Sequence, residues 1–155
     1  MTICEPIQRT LHLLDVENLA GGTDASEVDL MGWLPEYRVA ADWATEDLAC
    51  AACSNFVFRA VAFDLPEGIE RIAAGGGADA ADLAIIDRHP APWMADRFTR
   101  VVIGSGDGIF ADLARQLRYL DTEVWVISKR RSLSRSLAFE ADEVRFLVGT
   151  YDYAA

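Results

Sequence analysis

Residues 12–22 read HLLDVENLAGG, and the reading of this stretch decides the fold. Together with Leu11, it places Leu13 and Leu14 in a buried β-strand spanning residues 10–16. The apolar run then stops in Asp15, Glu17 and Asn18. A core strand that surfaces in two carboxylates and an amide ends at a polar rim. In an open parallel α/β sheet, ligands collect beyond the carboxyl ends of the strands. The stretch therefore predicts a first core strand with Asp15 on a functional rim, provided that later strands bring more acids to the same place.

The rest of the chain supplies such strands. Residues 47–53, 100–104 (RVVIG), 123–128 (EVWVIS) and 143–148 have the short apolar character of strands. Helical segments alternate with them. In FADLARQLRYL, Phe110, Leu113, Leu117 and Leu120 fall on one face, with Arg115, Gln116 and Arg118 opposite. ADAADLAIIDR follows three glycines, a loop-then-helix signal. Residues 25–44 also predict helix, kinked or split by Pro35 near Leu34. Residues 55–64 fit strand or helix, and Asn55 as an N-cap favours helix. This alternation predicts a parallel sheet covered on both faces, in one domain spanning 1–155.

Composition narrows the function classes. An apolar fraction of 52% in 155 residues is enough for a folded core. The 14 basic and 25 acidic residues leave a net charge of −11, so phosphates are attracted only by a local basic patch or by metal ions. The opening MTICEPIQRT lacks the apolar core of a signal peptide, and the longest uncharged run is too short to span a bilayer. A soluble, cytoplasmic protein is expected. Cys50 and Cys53 have CxxC spacing but lie in a strand, where i and i+3 point to opposite faces, so two small core residues are expected instead of a redox pair. Trp33, Trp43, Trp93 and Trp125 are expected in the core. His12 and His89 are too few and too distant for a zinc site.

The acids converge if the strands are neighbours. Asp107 follows RVVIG in GSGDGIF, on the same rim as Asp15. Asp79 and Asp82 open the alanine-rich helix at i and i+3 and share a face. Each has a plain alternative: Asp79 as N-cap, Asp82 and Asp112 as dipole complements, Asp107 as turn chemistry. Crowded carboxylates repel unless cations occupy the site, and hard divalent ions such as Mg²⁺ or Mn²⁺ take oxygen ligands. The densest basic run, SKRRSLSR, begins at the end of a strand, so Lys129, Arg130, Arg131 and Arg135 are candidate phosphate contacts. Ser54 and Asn55, after the second strand, would face the same rim.

Three stretches together, LLDVENLAGG, GGGADAADLAIID and VVIGSGDGIFADLARQL, resemble the NYN domain, a branch of the PIN-like nucleases. The family signatures fall on Asp15 and Asn18, on Gly77 and Asp79, and on Ser105 to Phe110. The order of the motifs and the following VWVIS…SLSRSL also fit, so the resemblance spans nearly the whole chain. It implies a three-layer α/β/α sandwich with a central, mainly parallel sheet, and metal-dependent cleavage of RNA. It implies Asp15, Asp79 and Asp107 as acidic metal ligands, with Asn18 and Ser105 orienting ligands or substrate. One departure stands out: many NYN sequences carry a second Asp where this chain has Ile109. Asp82 or Asp112 would have to supply the missing acid. A homodimer is expected by analogy with small PIN-like domains.

Three functions compete on these residues. A Mg²⁺- or Mn²⁺-dependent ribonuclease ranks first. A catalytically weak or inactive NYN-fold protein that binds RNA, a nucleotide or a protein partner is favoured by Ile109 and by the net charge. Phosphoryl transfer through a covalent Asp15 ranks third, because Glu17 stands where a second aspartate is needed.

Overall fold

The computed structural model describes residues 8–21, 32–54, 65–77 and 79–149. Thr10–Asp15 forms β1, and all but its first residue is buried. The strand gives way directly to a short helix, α1 (Val16–Ala20), so Val16 is helical instead of closing the strand. Next come α2 (Leu34–Ala40), β2 (Leu48–Cys53) and β3 (Ile69–Ala73). Helices α3 (Ala80–Arg88) and α4 (Ala91–Arg97) lead into β4 (Arg100–Gly104). A 3₁₀ turn at Gly108–Phe110 precedes α5 (Ala111–Tyr119), and β5 (Glu123–Ser128) follows. A second 3₁₀ turn, Arg130–Ser132, then α6 (Arg135–Glu140) and β6 (Glu143–Phe146) complete the order.

The six strands form one sheet in the order β3-β2-β1-β4-β5-β6, and every pair is parallel. Strand β3 was not legible in the sequence: its IERIA alternates buried and solvent-facing residues at the sheet edge, where charged side chains are normal. Helix α4 was also unforeseen, and Pro92 lies in its first turn, where a missing N–H costs nothing. Pro35 likewise lies in the first turn of α2, after a break at Trp33 that follows helical Gly32, so the helix is split near Leu34 as expected, and it ends at Ala40. Residues 25–31 and the ambiguous 55–64 lie outside the described residues.

Both sheet faces are covered, which makes the three-layer sandwich. Leu14, Ala51, Val102 and Ile127 pack on one face with Leu19 of α1 and with Leu34 and Tyr37 of α2. Leu13, Cys50, Ile103 and Val126 pack on the other with Ile85, Met94, Leu117 and Leu137 of α3 to α6. Cys53 lies on the first face and Cys50 on the second, as strand alternation requires. Burial pushes both thiols up to about 12, so they are inert core residues and not a redox pair.

His12 is a fully buried polar residue in β1. Its Nε2 lies 2.8 Å from Asp47 Oδ2 and its Nδ1 3.1 Å from the Tyr37 hydroxyl. A carboxylate only accepts, so in the neutral ring Nε2 carries the proton and Nδ1 accepts from Tyr37. Burial lowers the imidazole below its usual 6.5, and the Asp47 hydrogen bond pulls it partly back. A lowered folded value means that the unfolded chain takes up the proton first as pH falls. His12 therefore stabilises less below about pH 6.5, by no more than about 1.4 kcal/mol per pH unit. Urea unfolding at pH 7.5 and 5.5 should show the stability gap between wild type and His12→Gln narrowing at the lower pH.

Candidate metal centre at the carboxyl rim

Strand order reverses between β1 and β4, whose neighbours run away on either side, and this is the topological switch point of the sheet. Asp15 ends β1 there, 4% exposed. Its Oδ1 accepts the Asn18 backbone N–H at 3.4 Å and caps α1. Its Oδ2 accepts from the buried Ser105 hydroxyl at 2.8 Å. The same Ser105 oxygen accepts the Asp107 N–H at 3.2 Å. Asn18 reaches the same loop, its Oδ1 accepting the Gly106 N–H at 2.9 Å. Asp107 caps the 3₁₀ turn through Oδ1, which accepts the Ile109 N–H at 3.0 Å. Each motif residue is thus locked by backbone it helps to shape.

Helix α3 brings the remaining acids. Asp79 stands at its N-cap position with φ 62°, yet its side chain makes no capping bond. Simple capping is therefore not its role, and the left-handed backbone is one that Asp tolerates better than most residues. Asp79, Asp82 and Asp107 each offer a carboxylate oxygen within 4.8 Å of the others. Asp82, three residues on, is buried and lines the same cleft as Asp15. Burial, then the Asp15 hydrogen bond and the charges of Asp15, Asp107 and Asp79, push Asp82 up to about 8. Burial also raises Asp15, against the pull of its bonds from Asp82, Ser105 and Asn18.

These acids line a cleft of about 470 Å³ together with Glu17, Asn18 and Ser54. Glu17 is the carboxylate that sequence reasoning did not single out as a ligand. Its only signal was its place in the same turn as Asp15. Its Oε1 accepts the Ser54 N–H at 2.8 Å, tying the end of β2 to the end of β1. Asp112 is not part of the cluster: it is exposed and bonded to Arg115 and to Gln116 Nε2, so it cannot supply the missing acid. Ile109 packs against the core below α3 to α6 and is not in the cleft lining, whereas Asp82 is.

The basic run sits beside the Ser105–Asp107 loop, but none of its cations lines the acidic cleft. The Ser134 N–H donates to the Gly106 carbonyl at 2.8 Å. A Cβ on Gly106 would lie 2.2 Å from the Ser132 carbonyl oxygen, so only glycine lets the two loops meet. Lys129 Nζ approaches Gly21 at the carboxyl end of α1, where a cation is favoured. The Arg130 guanidinium lies 4.1 Å from the centre of the Phe146 ring. Arg131 and Arg135 are exposed. Asn55 lies outside the described residues. His89 stacks on Trp93 at 3.7 Å and takes no part in the rim.

Two outcomes follow from this geometry. Because folded Asp82 holds its proton up to about pH 8 and the unfolded carboxyl only to about 3.8, stability without metal declines as pH rises through that window. Urea unfolding in chelator at pH 5.5 and 8 should show this loss, and Asp82→Asn should reduce it. Gly106→Ala should cost about 1–3 kcal/mol by overpacking. Gly76→Ala, with nothing within 4 Å, should stay within about 0.5 kcal/mol of wild type by the same measurement.

Comparison with solved structures supports the fold alone. A protein of unknown function from Vibrio parahaemolyticus is similar to this chain with a TM-score of 0.59 and 19% sequence identity, covering 90% of this chain and 93% of that one. Among curated proteins, none matches. The sequence matches the NYN domain over residues 13–148, the span that carries Asp15, Asp79, Asp82 and Asp107, and the chain belongs to that family.

Proposed function

We propose that this protein is a divalent-metal-dependent ribonuclease. The observation that carries the reading is the carboxylate cluster itself: Asp79, Asp82 and Asp107 converge within 4.8 Å beside buried Asp15 at the switch point of the sheet. An all-carboxylate donor set fits a hard ion such as Mg²⁺ or Mn²⁺ and not a soft one. The raised Asp82 fits too, because a cation there would replace the proton that now relieves the repulsion. Asp15, Asp79, Asp82 and Asp107 would hold the ion. Bound there, it would supply a Lewis acid that lowers the pKa of a water and offsets charge on a phosphodiester.

The chain's own residues do the positioning. Ser105 orients Asp15 from behind, a support that typically matters 10- to 100-fold in affinity, roughly, when removed from a metal site. Asn18 spends its carbonyl on Gly106, which leaves its amide N–H groups for a phosphate oxygen. Ser54 lines the cleft on the β2 side. Arg131 and Arg135, exposed on the loop that packs on Gly106, would hold neighbouring phosphates, with Lys129 and Arg130 as more constrained contributors. Glu17 adds negative charge to the cleft and excludes a bare phosphate from it until a cation is present.

Calorimetric titration with Mn²⁺ tests the site. Wild type should bind saturably, Asp15→Asn and Asp107→Asn should each lose at least about 100-fold in affinity, and Ser105→Ala about 10–100-fold. Single-stranded RNA should be cleaved only with the metal present and not by Asp107→Asn. Arg131→Ala and Arg135→Ala should raise KM, leave kcat near wild type and flatten the salt dependence. RNA binding without metal and without turnover would instead establish a binding protein built on the nuclease fold.

A further inference from the structure

The opposite end of the sheet carries a second cleft, of about 390 Å³, that the acidic rim does not use. It opens where β2 and β3 begin, and Arg38, Trp43, Thr45, Asp47 and Glu67 line it. The Asp47 side chain is 4% exposed. Its Oδ2 accepts from His12 Nε2 at 2.8 Å and from the Ala44 N–H at 3.0 Å. Among the described residues its Oδ1 takes no hydrogen bond, and no buried polar side-chain atom lacks a partner. That oxygen is therefore accessible, on a side chain that lines the cleft. A carboxylate pinned through one oxygen presents the other as an acceptor of fixed direction.

The remaining lining is as specific. Trp43 is stacked on buried His12 at 4.1 Å with the rings 4° from parallel, so its plane is set by the core. Exposed Arg38 lies over the same indole, its guanidinium carbon 5.3 Å from the ring centre, and forms no ion pair among the described residues. The cleft thus offers a flat cationic surface, two carboxylate acceptors in Asp47 and Glu67, and the Thr45 hydroxyl. Two acids against one arginine disfavour a bare phosphate. The polar lining disfavours a purely apolar ligand. A planar heterocycle with an amino group satisfies all of these groups together, because Arg guanidinium planes stack bases and carboxylates accept from exocyclic amines.

We propose that this cleft binds an amino-bearing nucleobase, stacked on Arg38 with its exocyclic amino group donating to Asp47 Oδ1. The base comes from a free nucleotide or from an unpaired position in an RNA strand. The site lies at the far end of the sheet from the carboxylates and does not rest on metal-dependent cleavage.

The test is calorimetric and NMR titration of the intact chain, in chelator, with adenosine, cytidine and uridine. Nucleosides carry no phosphate to compete for the rim. Adenosine and cytidine should saturate with Kd on the order of 1 mM or tighter, and uridine, which lacks the amino group, should bind at least about tenfold more weakly. Arg38→Ala and Glu67→Gln, both at exposed positions, should weaken adenosine binding several-fold, while Asp107→Asn should leave it unchanged. Tighter binding of a short oligoadenylate than of adenosine would assign the base to a strand, and equal binding would assign it to a free nucleotide. Equal binding of uridine, absence of saturable binding, or loss of binding in Asp107→Asn but not in Arg38→Ala would each overturn the proposal.

Discussion

The carboxyl rim depends on one hydrogen bond, from the Ser105 hydroxyl to Asp15 Oδ2 at 2.8 Å. Both groups are buried, so neither has water as an alternative partner, and losing the bond would leave the buried Asp15 Oδ2 without its hydroxyl donor. The bond joins the ends of β1 and β4, the two central strands between which the sheet order turns back. Because the same Ser105 oxygen also accepts the Asp107 N–H, the orientation of Asp15 and the path of the loop that carries Asp107 are one decision. Asn18 adds a second tie between the same elements through Gly106.

What is built on that tie is electrostatically uncomfortable. Five carboxylates line one cleft, Asp15, Glu17, Asp79, Asp82 and Asp107, in a chain already carrying a net charge of −11. Burial and the neighbouring carboxylates push Asp82 up to about 8, and a proton held there relieves the repulsion. Arginines elsewhere are engaged with other acids: Arg118 with Asp142, Arg145 with Glu143 and Asp42, Arg100 with Glu123. Among the described residues no cation enters the cleft lining.

The packing explains why the neighbouring glycines are where they are. Gly104 sits against the Tyr37 ring, the Leu13 carbonyl and Leu19, and a Cβ there would meet them at 3.0–3.2 Å. Tyr37 therefore touches the switch point with its ring and His12 with its hydroxyl, and His12 in turn holds Asp47. One buried side chain connects the backbone behind the acidic rim with the base of the cleft at the other end of the sheet. Gly106 makes room for the Ser132 carbonyl, which brings the basic loop down beside the loop that carries Asp107.

Much of this was legible beforehand. Alternation of apolar strands with amphipathic helices specified a parallel sheet, and Asp15, Asp79 and Asp107 stood out because an acid immediately after a buried strand, or after a glycine turn, has few structural reasons to be there. Period-two alternation also told that Cys50 and Cys53 could not meet. These are local properties, determined by the chain's own periodicity. Strand β3 escaped because an edge strand needs only one apolar face, and α4 because its start is marked by Pro90 and Pro92 and not by a capping side chain. The place of Asp82 inside the acidic cleft and of Asp112 outside it, the place of Glu17, the partial burial of Ile109 and the approach of Lys129 to α1 and of Arg130 to Phe146 were decided only in three dimensions. Each depends on which elements pack together, and spacing along the chain carries no information about that: both Asp82 and Asp112 lie in the first turn of a helix, but only α3 turns that position toward β1.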